Sequence, residues 1–316
     1  MKLSVCYSSG MKSRVKNFLK LILPDCLIRL IKNYRREHRQ RIRYRFNQGQ
    51  DFSVTIATKT AQFSVFINPF KNGGVDDDIY RHGTWEPEIT ALLDRFVPNG
   101  GVFLDIGANI GFHSLYARTL LGNCGQVIAF EPLPRLHEQM QKSIEANGFT
   151  NITVHNVALA DKVGIGTLSL VDENIGASSL QSVSRARTVA SVVEVPLVKL
   201  DSYQSDFSQL DVVKIDIEGS EFEALQGGVQ ILRKYKPVII LEFSPQVYEN
   251  DYTGKSEDLY LFIKNLGYEI TVIGDEMLNI EASLKHRDFS KLHVNLLCLP
   301  HDSSDILSTK ENLKLS

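Results

Sequence analysis

A chain of 316 residues that is 43% hydrophobic can bury a full core, and one α/β domain with appendages fits that length better than two equal domains. No apolar run reaches the ~20 residues needed to cross a bilayer. Four scattered cysteines (Cys6, Cys26, Cys124, Cys298) without a C-x-x-C pair argue against a disulfide framework and a zinc site. MKLSVCYSSG has no apolar signal core and the apolar run at 18–23 is interrupted by Lys20, so a reducing cytoplasm is the expected compartment. The net charge of −2 hides an asymmetry: between Met11 and Arg45 twelve Lys/Arg face two acids, a net of +10, which leaves −12 on the remainder.

Residues 1–48 read as a basic helical arm. Leu19, Ile22, Leu23, Leu27, Leu30, Ile31 and Tyr34 recur at three- and four-residue steps, with Pro24 suited to start a second helix. A basic amphipathic helix suits the anionic inner face of a membrane, a protein partner at 11–45, or plain solvation, and the sequence leaves these open. Residues 49–83 form a lead-in. FSVTIATKTAQFSVFINPF alternates as a two-stranded hairpin, and Asp76-Asp77-Asp78 reads as a solvated turn, since no further metal-ligand residues accompany it. A short helix over 88–97 ends at Pro98 and Gly100-Gly101.

The stretch VFLDIGANIGFHSLYAR (102–118) is an apolar strand ending on Asp105, a turn with Gly107 and Gly111, and an amphipathic helix. Such a turn brings backbone N–H groups to a crevice, and small residues there let a ligand approach closely. It is neither G-x-x-x-x-G-K-[ST] nor G-x-G-x-x-G. QVIAFEP (126–132) is a second strand ending on an acid, Glu131, 26 positions after Asp105. That is near the spacing of roughly 20 that sets a carboxylate on a ribose in nucleotide-binding βαβ units. As an acid-ended strand, Asp105 is expected to lie outside the core.

A helix over 134–147 and a strand over 152–158 follow. Residues 161–196 then hold two β segments around the polar stretch ENIGASSLQSVSRAR, long enough to suggest a functional loop. In strand DVVKIDI (211–217), Lys214, Asp216 and Glu218 alternate with apolar residues and are expected on one face. A central parallel strand is normally apolar on both faces, so these charges need partners. At a carboxyl end they suit a site better than a purely structural ion pair. A helix closed by Gly227-Gly228, strand PVIILEF ending on Glu242, a helix over 257–266 and strands over 268–273 and 292–299 complete the pattern.

Together VFLDIGANIGFHSLYAR, QVIAFEPLP, NVALAD, VKIDIEGSEFEALQGG and PVIILEFSP make the chain resemble the FkbM family of methyltransferases, over roughly 84–274. The resemblance implies a Rossmann-like α/β domain over 84–300, with a seven-stranded sheet whose last strand is antiparallel, followed by a polar tail at 301–316. It also implies S-adenosylmethionine as cofactor and a hydroxyl acceptor, most often on a sugar of a polysaccharide, glycolipid or glycosylated natural product. Asp105, Gly107, Asn109 and Gly111 would lie at the cofactor's amino-acid part, Glu131 and Pro132 at its ribose, and Asn156 and Ala158 near its adenine. The family's acid between those last two is Val157 here. Asp216 would border cofactor and acceptor alike.

A sugar hydroxyl needs a base within hydrogen-bond reach. The candidates are Asp216, ranked first, with Glu218, Glu242 and His113, and Lys214 to orient Asp216. No metal-ligand pattern is present, although a divalent ion shared by such carboxylates stays open. Base methylation is disfavoured, because no N-P-P-Y or D-P-P-Y follows the fourth strand and no Pro-Cys nucleophile appears, so no nucleic acid is expected. An RNA ribose hydroxyl rests on the basic arm alone. A silent scaffold recruited through that arm is opposed by the intact Asp105, Glu131 and Asp216.

Overall fold

A computed structural model of the chain describes residues 50–69, 74–171, 189–245, 255–274, 278–286 and 293–301. The expected arm, the polar stretch at 173–187 and the C-terminal tail lie outside the described residues. β1 (Phe52–Ala57) and β2 (Gln62–Ile67) form the expected antiparallel hairpin. Helices α1 (Gly74–His82) and α2 (Pro87–Phe96) lead to β3 (Val102–Ile106), which is buried along its whole length. Then come α3 (Phe112–Leu121), β4 (Gln126–Phe130), α4 (Pro134–Ala146) and β5 (Ile152–His155).

A small sheet interrupts the alternation: β6 (Ala158–Leu159), β7 (Gly164–Val171) and β8 (Val189–Val198), in the order β6-β8-β7. The expected strand over 152–158 is therefore two strands in different sheets. A 3-10 helix (Leu200–Asp206), β9 (Val212–Ile215), α5 (Glu221–Gln226), α6 (Val229–Tyr235) and β10 (Val238–Phe243) follow. The chain then continues through α7 (Lys255–Asn265), β11 (Tyr268–Val272), α8 (Ile280–His286) and β12 (Val294–Pro300).

The main sheet has seven strands in the order β11-β12-β10-β9-β3-β4-β5, with β12 antiparallel to both neighbours. Strand order reverses between β3 and β9, and open α/β sheets bind ligands at the carboxyl ends of such a pair. Side-chain alternation divides the core between the two faces. Phe103 and Val212 face α2, α3, α4 and the hairpin, whereas Leu104, Ile106, Val213 and Ile215 face α5 to α8. By the same alternation Asp105 and Lys214, paired across β3 and β9, point toward the α3 side.

The hairpin is sealed to α4 by side chains that satisfy its outer edge. Ser64 N donates to Asn147 Oδ1 (2.7 Å), Phe66 N to Ser143 Oγ (2.9 Å), and Gln139 Nε2 to Phe66 O (2.8 Å). An exposed strand edge would otherwise invite pairing with another chain. The three adjacent aspartates are not a solvated turn but part of α1. Asp76 is fully buried and accepts from Asn68 N and from Gln139 Nε2 (3.0 Å), while Asp77 pairs with Arg81 one turn on. Among the described residues no helix is long and apolar enough to cross a membrane.

Candidate active site

The glycine turn after β3 is packed too closely for side chains at its two glycines. Gly107 and Gly111 have φ of +81° and +85°, and a Cβ at Gly107 would collide with the carbonyl oxygen of Asp216, while one at Gly111 would meet Met140. Asn109 also holds a positive φ of 55°, and its Oδ1 accepts from Ile110 N (2.8 Å). The turn's N–H groups do not point freely into the crevice, as the sequence suggested. Gly107 N and Ala108 N both donate to Phe130 O (2.9 and 3.0 Å), Asn109 N to Glu131 Oε2 (2.8 Å), and Gly111 N to Ala108 O (2.8 Å). The turn offers no phosphate cradle, because its donors are already engaged.

Glu131 is buried at the end of β4, with Leu133 N donating to its Oε1 (2.9 Å). Each oxygen thus keeps a lone pair for a further donor. Burial pushes the carboxyl up to about 7. The N–H groups of Leu133 and Asn109 work against that, and Asp105 and Asp216 add to it. Asn156 braces this corner from behind, its Nδ2 donating to Glu131 O (2.8 Å) and Pro132 O (3.0 Å).

Beyond β9 the expected single charged face does not form, because the strand ends at Ile215 and Glu218 takes a φ of +51°. Only Lys214 lies on the strand. It is buried, and its Nζ donates to Asp216 Oδ2 (3.1 Å). Burial disfavours the ammonium, but Asp216, Glu86 and Asp105 outweigh it and raise the Lys214 pKa. The turn after Asp216 is pinned by Glu221, which the sequence reading missed. Its carboxylate accepts from Ile217 N (3.1 Å) and Gly219 N (3.1 and 3.2 Å). Glu242 sits behind Asp216, pushed up to about 10 by burial, by the Asp216, Glu218 and Glu221 carboxylates, and by its hydrogen bond with Asp216. That hydrogen bond sets its carboxyl directly against Asp216.

These pieces border an open crevice at the β3/β9 switch point, about 630 Å³ with the solvent space at its mouth included. Gly107, Asn109, Glu131, Pro132, Ala158, Asp216 and Glu218 line it, with an apolar wall from Phe130, Leu133, Leu136, Val157, Leu159 and Leu168. Asp105, Gly111, His113, Asn156, Lys214 and Glu242 stand behind that lining. Asp105 in particular is 1% exposed, a correction to its expected place outside the core. Its Oδ2 accepts from Ser114 Oγ (2.6 Å), which the hydrophobic packing of α3 carries under the strand end.

Another residue escaped the sequence reading. Glu86, before α2, has a φ of +42° although it precedes a proline, a conformation disfavoured for any side chain there. Its Oε2 lies 3.7 Å from Nε2 of the buried His113. Burial, and then Lys214, holds His113 well below its usual pKa, so the ring is neutral.

The Methyltransferase FkbM domain profile matches residues 105–270. The chain belongs to the FkbM methyltransferase family. It is 28% identical over 158 residues to the hexuronic acid methyltransferase AglP of Haloferax volcanii, covering 49% of this chain and 61% of that one. It is 23% identical over 148 residues to Methyltransferase 1 of Beauveria bassiana, covering 41% and 59%. The matches thus span about three fifths of these relatives' length. A solved FkbM methyltransferase from Methylobacillus flagellatus aligns at a TM-score of 0.41 with 16% identity, over 64% of this chain and 44% of that one.

The family's S-adenosylmethionine fits the residues present. Glu131 offers free lone pairs to a pair of hydroxyls, and Val157, Ala158 and Leu159 give an apolar surface for a base. Among the described residues no group of three or more His, Cys, Asp or Glu is placed to hold a metal ion.

Glu86 also makes stability pH-dependent. Burial pushes its carboxyl up to about 7, Lys214 opposes this, and Asp216, Glu88 and Asp105 reinforce it. Below the unfolded value of 4.5 both states are protonated and the contribution of the neutral group is fully present. It is lost as pH rises through about 7. A Glu86→Gln chain should therefore gain melting temperature relative to wild type across that window and hold a constant lead above it. Parallel melting curves at all pH values would mean the carboxyl is unshifted.

Proposed function

We propose that the chain is an S-adenosylmethionine-dependent O-methyltransferase whose acceptor is a sugar hydroxyl. The observation that carries this reading is the juxtaposition of Glu131 and Asp216 across one crevice, with Lys214 holding Asp216 from below. The relative that acts on a hexuronic acid supports the sugar, and the two carboxylates Asp216 and Glu218 in the lining suit the several hydroxyls of a carbohydrate.

When bound, S-adenosylmethionine supplies an electrophilic methyl group that needs little covalent help from the protein. The chain's task is to place the acceptor oxygen in line and take its proton. Asp216 is the residue for that step. It borders the crevice, is 27% exposed, and its Oδ2 is fixed by Lys214. Glu242 orients the same carboxylate through its hydrogen bond.

Incubating the purified chain with isotopically labelled S-adenosylmethionine and glycan fractions, beside mass spectrometry of glycans from cells with and without the gene, tests this reading. Label on a sugar oxygen, lost with the gene, is expected; label on RNA alone would replace the sugar. Within the same reading, Glu131→Gln should raise the dissociation constant for S-adenosylmethionine roughly tenfold or more. The change removes a charge-assisted hydrogen bond of about 1.5–3 kcal/mol. Titration calorimetry checks it, and unchanged affinity would reduce Glu131 to a brace for Asn109 and Leu133.

A further inference from the structure

Among the described residues, three buried polar atoms near the first glycine turn have no hydrogen-bond partner: Asp105 Oδ1, Glu86 Oε2 and His113 Nε2. Buried polar groups are nearly always satisfied, so each orphan calls for a partner absent from the protein itself. The side chains of Asp105 and His113 are 1% and 5% exposed, beyond the reach of bulk water.

The surrounding elements constrain what that partner is. Asp105 ends β3 beside the glycine turn, His113 is the second residue of α3, and Glu86 leads into α2. Glu86 and His113 face each other at 3.7 Å, too far to satisfy one another but close enough to share one small group. With its ring neutral, His113 can present a lone pair at Nε2. The buried groups are rich in acids as well. Lys214 is one cation among Asp105, Asp216 and Glu86, and its hydrogen bond goes to Asp216. A missing partner that donates to acceptors and carries positive charge answers both deficits. A third observation agrees: Glu86 is held in a left-handed conformation ahead of Pro87, strain of the kind that collects at ligand sites.

We propose that Glu86 and His113 complete, with Asp105, a buried subsite for the ammonium of the methyl donor's amino-acid part. The inference rests on the cofactor reading above and adds to it two residues from outside the glycine turn. Glu86 supplies a buried carboxyl from the loop before α2, so that loop becomes part of the cofactor site and not merely a lead-in to β3. His113 supplies a neutral acceptor at the start of α3. Lys214 keeps Asp216 away from the ammonium and available to the acceptor.

Calorimetric titration of the full chain with two probes tests this. S-adenosylhomocysteine carries the amino-acid part, whereas 5′-methylthioadenosine shares the adenosine and lacks the ammonium. For Glu86→Gln we expect S-adenosylhomocysteine to bind at least tenfold more weakly, with 5′-methylthioadenosine unchanged within twofold. Retained binding of 5′-methylthioadenosine also shows that the variant is folded. Equal affinity of wild type and Glu86→Gln for S-adenosylhomocysteine would overturn the proposal. So would parallel weakening of both probes, which marks Glu86 as a support of the pocket. A wild-type chain that binds neither probe would instead remove the cofactor reading itself.

Discussion

Asp216→Asn should bind S-adenosylmethionine within a few-fold of wild type and transfer methyl groups about 10²-fold more slowly or worse, the usual penalty for losing a general base. The competing expectation is structural. Removing one partner of a buried ion pair destabilises by about 3–5 kcal/mol, because the remaining charge is stranded. Here the stranding is incomplete. Lys214 keeps Asp105 as its cross-strand neighbour and Glu86 within electrostatic reach, and Asp216 is itself 27% exposed, so its share of the pair is partly solvated. Asparagine also keeps an oxygen to accept from Lys214 Nζ. The chemical effect should therefore dominate over the loss of stability. Melting temperature and single-turnover rate measured on one preparation separate them. A well-folded variant with near-normal turnover on its true acceptor would end the assignment of Asp216 as base.

The parts of the site that were legible in the sequence lie where local chemistry dictates the conformation. The acid-x-Gly-x-x-x-Gly spacing marks a strand, a tight turn and a helix because Gly107 leaves no room for a side chain beneath Asp216. Two apolar strands ending on Asp105 and Glu131 pair in parallel with Asp105 opposite Ala129, which puts both acids at one end of the sheet. The unread parts depend on contacts remote in sequence. Asp76 is buried by Gln139, 63 residues away, so a run of three aspartates gave no sign of burial. Glu86 lies 19 positions before Asp105, and its only local signal is a glutamate where a short polar cap is usual, ahead of Pro87. Glu218 departs from the strand because a positive φ interrupts the alternation, and Gly219 after it is the single hint of that break. β6 is two residues long, too short for any periodicity to announce.

Asp105 yields the sharpest separation between stability and binding. A carboxylate outside the core could be truncated without harm, but this one is buried, hydrogen-bonded to Ser114 Oγ and set opposite Lys214. Burial raises its pKa, while Lys214 and the Ser114 hydrogen bond pull the other way, so the ionised form depends on those two neighbours. Asp105→Ala removes the acceptor for Ser114 and one of the counter-charges of Lys214 together. A loss of ~3–5 kcal/mol is expected, or on the order of 10 °C in melting temperature for a chain of this size. Its failure to bind cofactor would then say little, since the site itself would be loosened. Asp105→Asn distinguishes the causes. It preserves shape and an oxygen for Ser114, and Lys214 still holds Asp216 at 3.1 Å, so the melting temperature should stay within a few degrees of wild type. Its charge is gone, however, and with it the anion proposed to face the cofactor's ammonium. Affinity for S-adenosylmethionine should fall by roughly 10²-fold, the equivalent of a charge-assisted hydrogen bond of about 3 kcal/mol. Melting scans and calorimetric titration of the two variants decide the matter. An Asp105→Asn chain that is stable and binds as tightly as wild type would show that the carboxylate serves the fold and not the cofactor.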